Sequence, residues 1–567
     1  MPSRSTPAHA SPNLEEIEFQ KETVARIRQE IGGVDRNSRR RYIREFHDDF
    51  ATYEAVSSWD DLVVACFKAD IIYIGDYHAL PSAQAFAVRL LDEVAERSRR
   101  LFLGLEMIYG RHQPQLDRFL RESMSEAEFL KAVRYELDWG YSWPSFRAFF
   151  DAARRHRLPT FGIDCGPRTG FRHIRRRDTY AASRLADLLE SLPDSRAVVV
   201  IGESHLARNH LPMKVTERLK RRGLEKRSLI VLQNLEQVYW SATADGHRDV
   251  DVVRLAPDAF CQFNASPIAK YEAYRRTIEL WRDEDEQDGG VDLTSTVHGT
   301  IDMILKFLGI DRFSRVKAQD RALEPLVDLY PEVYSGMEID ELKALLRGAR
   351  FSAEESEEVL GHVEHDGSCY VPRINTVFMG VLNMAHAGEE AAHFVNLALK
   401  GEIQGNAPRA MPQHDLFYTG VIEEALGFFG SKLVDPGRNH FFETQFYQFY
   451  RKDPATIEAQ TPYSYADFTA IINFILLHKK FEQSYETYQE VPEAILAGIR
   501  SEPRRANILV HELGYFLGQQ LHDAYRAGIV SRREMQALFR QSFQETGSAL
   551  ETYLDLTRKV APVVHGG

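Results

Sequence analysis

Five short apolar runs punctuate the first half of the chain: Ile71–Ile74, Leu101–Leu105, Pro159–Ile163, Ala197–Ile201 and Leu229–Leu232. They are continuous rather than alternating, the pattern of strands covered on both faces. Between them the apolar period changes to that of a helix. Phe86, Leu90, Leu91 and Val94 mark one face of Ser82–Ser98. Gln113–Leu120, Glu126–Tyr135, Pro144–His156, Thr179–Leu192 and Pro212–Arg222 repeat the pattern. Val250–Leu255 and Ala259–Phe263 add edge strands. Strands and helices alternating in this way predict βαβ units and an α/β fold, a mostly parallel sheet flanked by helices, over residues 55–265.

The flanking segments read differently. Residues 1–54 form an N-terminal helical extension, with helices over Leu14–Ile31 and Arg39–Tyr53 after a Pro/Ser/Ala-rich start expected to be mobile. Trp59–Ala69 leads into the first strand. Residues 266–292 read as a helix and the acidic, Gly-containing linker Asp283–Asp292. From 293 to 567 strand-like alternation is scarce and an all-α domain is expected. Its helices cover Thr294–Leu308, Arg321–Leu329, Ile339–Arg347, Ala353–His365, Ile374–Leu399, Asp415–Leu433, Tyr465–Lys480, Pro492–Arg500, Ala506–Ala527 and Ser531–Leu556.

Composition narrows the function classes. With 567 residues, 44% of them hydrophobic, the chain has material for several cores. A net charge of −13 argues against a general nucleic-acid binder. The basic clusters Arg36–Arg44, Arg172–Arg177 and Lys214–Arg227 read as solvated surface. No run of about 18 apolar residues predicts a membrane span. The first residues lack the apolar core of a signal peptide, so a cytoplasmic protein is expected. The four cysteines, Cys66, Cys165, Cys261 and Cys369, are far apart, which disfavours a zinc-cysteine site or a disulfide framework. Cys165 sits beside a strand end.

Chemistry gathers at the strand ends. Gly75-Asp76-Tyr77-His78 follows the first run and Gly202-Glu203-Ser204-His205 the fourth. Glu106 follows the second and Asp164 the third. In an open α/β sheet the carboxyl edge of the strands is where ligands bind. Buried acids are costly unless paired, so such a gathering makes most sense around a shared cation, proton or polar ligand. Asp76, His78, Glu106, Glu203 and His205 together offer a carboxylate and imidazole set suited to Mn, Fe or Zn.

The segments GDYHALP, GLEMIYGRHQPQLDRFL, Asp138–Pro144, RRDTYAASRLADLL and VVVIGESHLA occur in this order. Over about residues 60–235 they resemble the haem-binding ChaN-like branch of the Tiki superfamily. That superfamily also contains erythromycin-esterase-like enzymes and Tiki-type metal-dependent proteases. The resemblance implies that His78, Glu106, Glu203 and His205 line the site. It further implies that Arg177 and Asp178 open a helix facing it. Asp76 departs from the pattern, standing where the family usually has Glu, one methylene longer. Haem iron takes an axial His, Tyr or Cys, which makes Tyr77, Tyr109 and Tyr141 cofactor-binding candidates. Arg172–Arg177 offers charge for propionates or phosphates.

The expected function is a small-molecule or metal-ion binder that seats haem or a divalent ion at this edge. One alternative is a hydrolase using the same residues, metal-dependent or by acid–base activation of water through His78 and Glu106. The other is a non-catalytic scaffold whose helical domain carries a protein partner or an oligomer contact.

That helical half holds two histidine stripes. Glu358, His362 and His365 stand at i, i+4 and i+7, as do His386, Glu390 and His393. Glu390 and His393 form a Glu-x-x-His element of the kind di-iron bundles use in pairs, with two further acids. Only one such element is present here. Glu423, Glu424, His511 and Glu512 are the remaining candidates, and polar-face histidines are the plain reading.

Overall fold

The computed structural model describes residues 12–32, 41–98, 100–168, 173–247, 250–282, 293–317, 323–335, 339–380, 382–403, 413–440, 452–460, 464–484 and 503–564. The Pro/Ser/Ala-rich start up to residue 11, Arg172, the linker Asp283–Asp292 and the helix expected at Pro492–Arg500 lie outside these residues, as do the side chains of Glu358 and His365. The chain divides into two compact units. One is Glu22–Asp285; the other is Met1–Lys21 with Glu286–Gly567.

The first unit is built on an eight-stranded sheet. Its strands are β1 (Ala55–Ser57), β2 (Ile71–Asp76), β3 (Leu101–Tyr109), β4 (Thr160–Asp164), β5 (Arg196–Gly202), β6 (Ser228–Gln233), β7 (Val252–Ala256) and β8 (Ala259–Gln262). They lie in the order β1-β7-β8-β6-β2-β5-β3-β4. Pairing is antiparallel at β1/β7 and β7/β8 and parallel elsewhere. Every residue of β2 and β3 is buried, as continuous apolar runs require.

Alternate residues of each strand serve opposite cores. Ile72, Ile74, Leu103 and Leu105 pack with Leu62, Phe86, Leu90, Phe146 and Phe150 on one side. Ile71, Tyr73, Phe102, Val199 and Ile201 pack with Phe46, Leu185, Leu189, Val215 and Leu219 on the other. The chain leaves β2 for β3 and β4, returns to β5 between β2 and β3, then crosses to β6 on the far side of β2. That reversal puts a topological switch point at the carboxyl ends of β2 and β5, the position at which open α/β sheets bind ligands.

Three details differ from the expectation. β3 runs on to Tyr109, with an irregular register against β4 between Leu105 and Tyr109. Glu106 is therefore inside a strand rather than at its end. A short strand, β1, precedes the first predicted one. The compact unit also takes in the helices Arg41–Asp49 and Pro267–Arg282, on either side of the expected limits at 55 and 265.

The second unit is helical. Its core includes Val297, Ile301, Phe394, Phe417, Tyr418, Phe429, Leu517, Leu521 and Tyr553. It also carries two small sheets that helical periodicity does not foresee. The helix expected over Ile374–Leu399 starts at Met384, capped by Asn383. Ahead of it, Ser368–Val371 and Thr376–Met379 are strands, joined by a turn in which Asn375 takes a φ of 47°. The helix expected over Ser531–Leu556 breaks into Arg532–Arg540 and Ser548–Val564, with Gly547 at a φ of 87°. Among the described residues no helix is long and apolar enough to cross a membrane. Among the described residues the four cysteines form no disulfide.

Candidate functional site

β2 ends on Asp76, and the turn after it brings His78 back beside the strand end. His78 Nδ1 lies 2.7 Å from Asp76 Oδ2, and Gln84 Nε2 donates to Asp76 Oδ1 at 2.5 Å. A carboxylate can only accept, so Nδ1 carries the proton and Nε2 is the free nitrogen. His78 Nε2 is 3.7 Å from Glu106 Oε2, beyond hydrogen-bond range. Its ring is walled by Trp139 and Tyr141, at centroid distances of 4.4 and 5.1 Å.

A second carboxylate–imidazole pair approaches Glu106 from the other side. After β5 a short 3-10 turn, Glu203–Leu206, buries His205. His205 Nδ1 lies 2.6 Å from Asp178 Oδ1, and its Nε2 is 3.4 Å from Glu106 Oε1. Tyr42 donates to both oxygens of Asp178, at 3.1 and 3.0 Å, and Lys214 donates to one at 3.2 Å. Glu106 itself accepts from the Gly202 N–H at 2.5 Å and from Arg177. Arg177 also forks onto Asp164, with bonds of 2.9, 3.1 and 2.8 Å. Arg168 closes the far side, bonded to Asp164 at 2.8 Å and to the Glu106 carbonyl.

The shared cation that the strand-end acids call for is thus part of the protein. Asp76, Glu106, Asp164 and Asp178 are buried; Arg168, Arg177, His205 and Lys214 compensate the last three, while Asp76 meets His78 and Gln84. The electrostatics divide the two histidines. Burial opposes the charged form of His205, but Glu106 and Asp178 outweigh it and hold its pKa up to about 9. Burial raises Glu106, and His205, Arg177 and His78 more than reverse this, so it stays a carboxylate. Asp178 is lowered in the same way, burial being overcome by His205 and Lys214. His205 is therefore an imidazolium at neutral pH. The side chain of His78 is 19% exposed, against 4% for His205, so His78 is the imidazole within a ligand's reach.

Of the expected residues, Asp76, His78, Glu106, Asp164, Arg177, Asp178 and His205 come together. Glu203 stands apart from the network. Its oxygens accept from Lys270 at 3.0 and 3.2 Å, and Lys270 lies 4.4 Å from the centre of the Tyr77 ring. Tyr109 packs under the guanidinium groups of Arg168 and Arg111, at 4.1 and 4.6 Å. Burial pushes the phenols of Tyr77, Tyr109 and Tyr141 up, so all three remain protonated. Burial also raises the Cys165 thiol.

Tyr42, Gln84, Arg168, Lys214 and Lys270 were not anticipated. Arg168 follows Asp164 by four residues, but nothing in a lone Asp-x-x-x-Arg marks it. Tyr42 and Lys270 come from helices assigned to the flanks.

Both motif glycines have steric reasons. A Cβ on Gly75 would stand 2.8 Å from Leu232 Cδ2 and 3.3 Å from Glu203 Cβ. A Cβ on Gly202 would stand 3.2 Å from His78 Nε2 and 3.4 Å from Glu106 Oε2. Gly75→Ala is expected to destabilise the unit by about 1–3 kcal/mol through overpacking, read as a lower urea midpoint. An unchanged midpoint would show that Leu232 moves aside freely.

Comparison with known proteins bears on the same region. Residues 62–187 match the family model described as haem-binding uptake, Tiki superfamily, ChaN. A solved structure of ChaN of Campylobacter jejuni, described with cofacial heme binding, is 14% identical. The match covers 31% of this chain and 86% of that one, with a TM-score of 0.23. No curated protein matches.

Proposed function

Starting from a ChaN-like segment at residues 62–187, we propose that the α/β unit binds haem at the strand-end edge, with His78 as the axial ligand. The observation that carries this reading is the Asp76–His78 pair. Histidines that hold metals usually give their other N–H to a carboxylate, which orients the ring and raises its basicity. His78 has that partner at 2.7 Å, an Nε2 with no hydrogen bond among the described residues and a side chain that is 19% exposed. Trp139 and Tyr141 beside it supply apolar surface for a macrocycle. A tyrosinate ligand is less favoured, because burial already opposes ionisation of Tyr77, Tyr109 and Tyr141. Bound haem would supply an iron centre, which His78 would hold through its imidazole.

Haem titration of the purified full chain is expected to shift the Soret band. His78→Ala should abolish the shift, and Asp76→Asn should weaken binding about 10–100-fold. A wild-type protein without a shift, or a His78→Ala variant that keeps it, would sink the assignment.

A second reading is acid–base hydrolysis, favoured by the convergence of His78 and His205 on opposite oxygens of Glu106. Here His205, already protonated, stabilises negative charge, Glu106 remains a carboxylate, and His78 moves the proton. Glu106→Gln would then lower turnover of a responsive ester or peptide about 10²–10⁴-fold. A resident divalent ion at this edge has less to explain, since Glu106, Asp164 and Asp178 are already compensated by Arg168, Arg177, His205 and Lys214.

A further inference from the structure

The helical unit contains its own cluster of ligating side chains. Glu389, His393 and Glu424 each place a ligand atom within 4.8 Å of the others. Glu389 and His393 are one turn apart on the helix Met384–Lys400, and Glu424 projects from the helix Gln413–Val434. His511, on a third helix, Pro503–Arg526, has its Nδ1 3.2 Å from Glu424 Oε2. The sequence pattern pairs His393 with Glu390, but Glu390 plays a different part. It accepts from Ser368 Oγ at 2.6 Å and from the Tyr370 N–H at 2.8 Å, and stands 3.6 Å from His393 Nδ1.

This places a fixed carboxylate behind one nitrogen of His393. The other nitrogen, Nε2, is buried and makes no hydrogen bond among the described residues. A buried polar atom left so is costly unless something else takes it. Two glycines keep room for the cluster. A Cβ on Gly427, three residues beyond Glu424, would collide with the His393 imidazole, and one on Gly514 would collide with Glu424 Cβ. Glu389 is oriented by Tyr515 and by Arg438 Nη1 at 2.8 Å. The side chains of His393, Glu424 and His511 are 19%, 23% and 20% exposed, which leaves an ion a way in.

We propose that Glu389, His393 and Glu424 bind one divalent transition-metal ion within the helical unit, with His511 orienting Glu424. Two carboxylates and one imidazole suit Mn²⁺, Fe²⁺, Co²⁺ or Zn²⁺ better than a hard cation that prefers oxygen alone. Glu390 is a positioning residue that orients His393.

Chelator-treated full-length protein titrated with Co²⁺ tests this. A visible d–d spectrum that saturates at one equivalent is expected. Glu424→Gln and His393→Gln, checked for intact helicity by circular dichroism, should remove it. Glu390→Gln should weaken binding about 10–100-fold without removing it. His393→Cys should add a thiolate charge-transfer band, a readout that survives even if the glutamine variants fold poorly. Absence of stoichiometric Co²⁺ binding in the wild type overturns the site. So does an unchanged spectrum in His393→Cys, or binding that disappears with Glu106→Gln and persists in His393→Gln, which would put the ion at the strand ends.

Discussion

Arg177→Met is expected to destabilise the α/β unit by about 3–5 kcal/mol. The guanidinium of Arg177 touches both Glu106 and Asp164, each almost wholly buried. Methionine fills much of the space but leaves two carboxylates short of their main counter-charge. Breaking a buried pair from one side is far costlier than replacing both partners, because the orphaned charge stays out of water. All five tryptophans, Trp59, Trp139, Trp143, Trp240 and Trp281, belong to residues 22–285, so tryptophan fluorescence follows this unit alone during urea unfolding. Adding Glu106→Gln to Arg177→Met should recover part of the loss, with a coupling of about 0.5–3 kcal/mol. A single-variant cost below about 1 kcal/mol would mean that water reaches the cluster and that the network is not the buried one described.

The second large effect is a loss of stability at alkaline pH. His205 titrates at about 9 in the folded protein against 6.5 for an ordinary histidine. A raised pKa means that the folded state holds the proton more tightly than the unfolded chain. The stabilisation is therefore complete below about pH 6.5 and is lost as pH rises through 9. The loss should approach about 3 kcal/mol. Tyr42, which also contacts Asp178, is raised well above 10 by burial and by Asp178, so it does not titrate in this window. Urea midpoints measured from pH 6 to pH 10 should fall in the wild type and stay flatter in His205→Gln, which has no proton to lose. Parallel pH profiles for the two proteins would refute the assignment of charge to His205.

Much of the site could be read from residue order because its parts are local. Asp76 and His78 are two residues apart, and so are Glu203 and His205. The apolar runs before them say that each pair emerges from a buried strand. The close approaches at Gly75 and Gly202 then explain why each motif begins with glycine. Arg168 and Gln84 escaped although they are near in sequence to the acids they bond, and other partners escaped because they are long-range. Lys270 reaches Glu203 across 67 residues and Tyr42 reaches Asp178 across 136. Neither has a local signature. The same limit separates Glu389 from Glu390 in the helical unit. Adjacent glutamates differ by about 100° around a helix. Only packing against Ser368, Tyr370 and Tyr515 tells which one joins His393 and Glu424 in the cluster and which one stands behind the imidazole.

The amino-acid order alone determined the strand runs, the helical periods and the acids and imidazoles at the edge of the sheet. These follow from side-chain volume, apolar spacing and the backbone's local geometry. Tertiary structure decided the charges and the partners. It made Arg177 the shared cation, gave His205 its proton, left His78 as the reachable imidazole and drew Glu203 off to Lys270. Those outcomes depend on burial and on which charges meet across the sheet, quantities that exist only once the chain has folded.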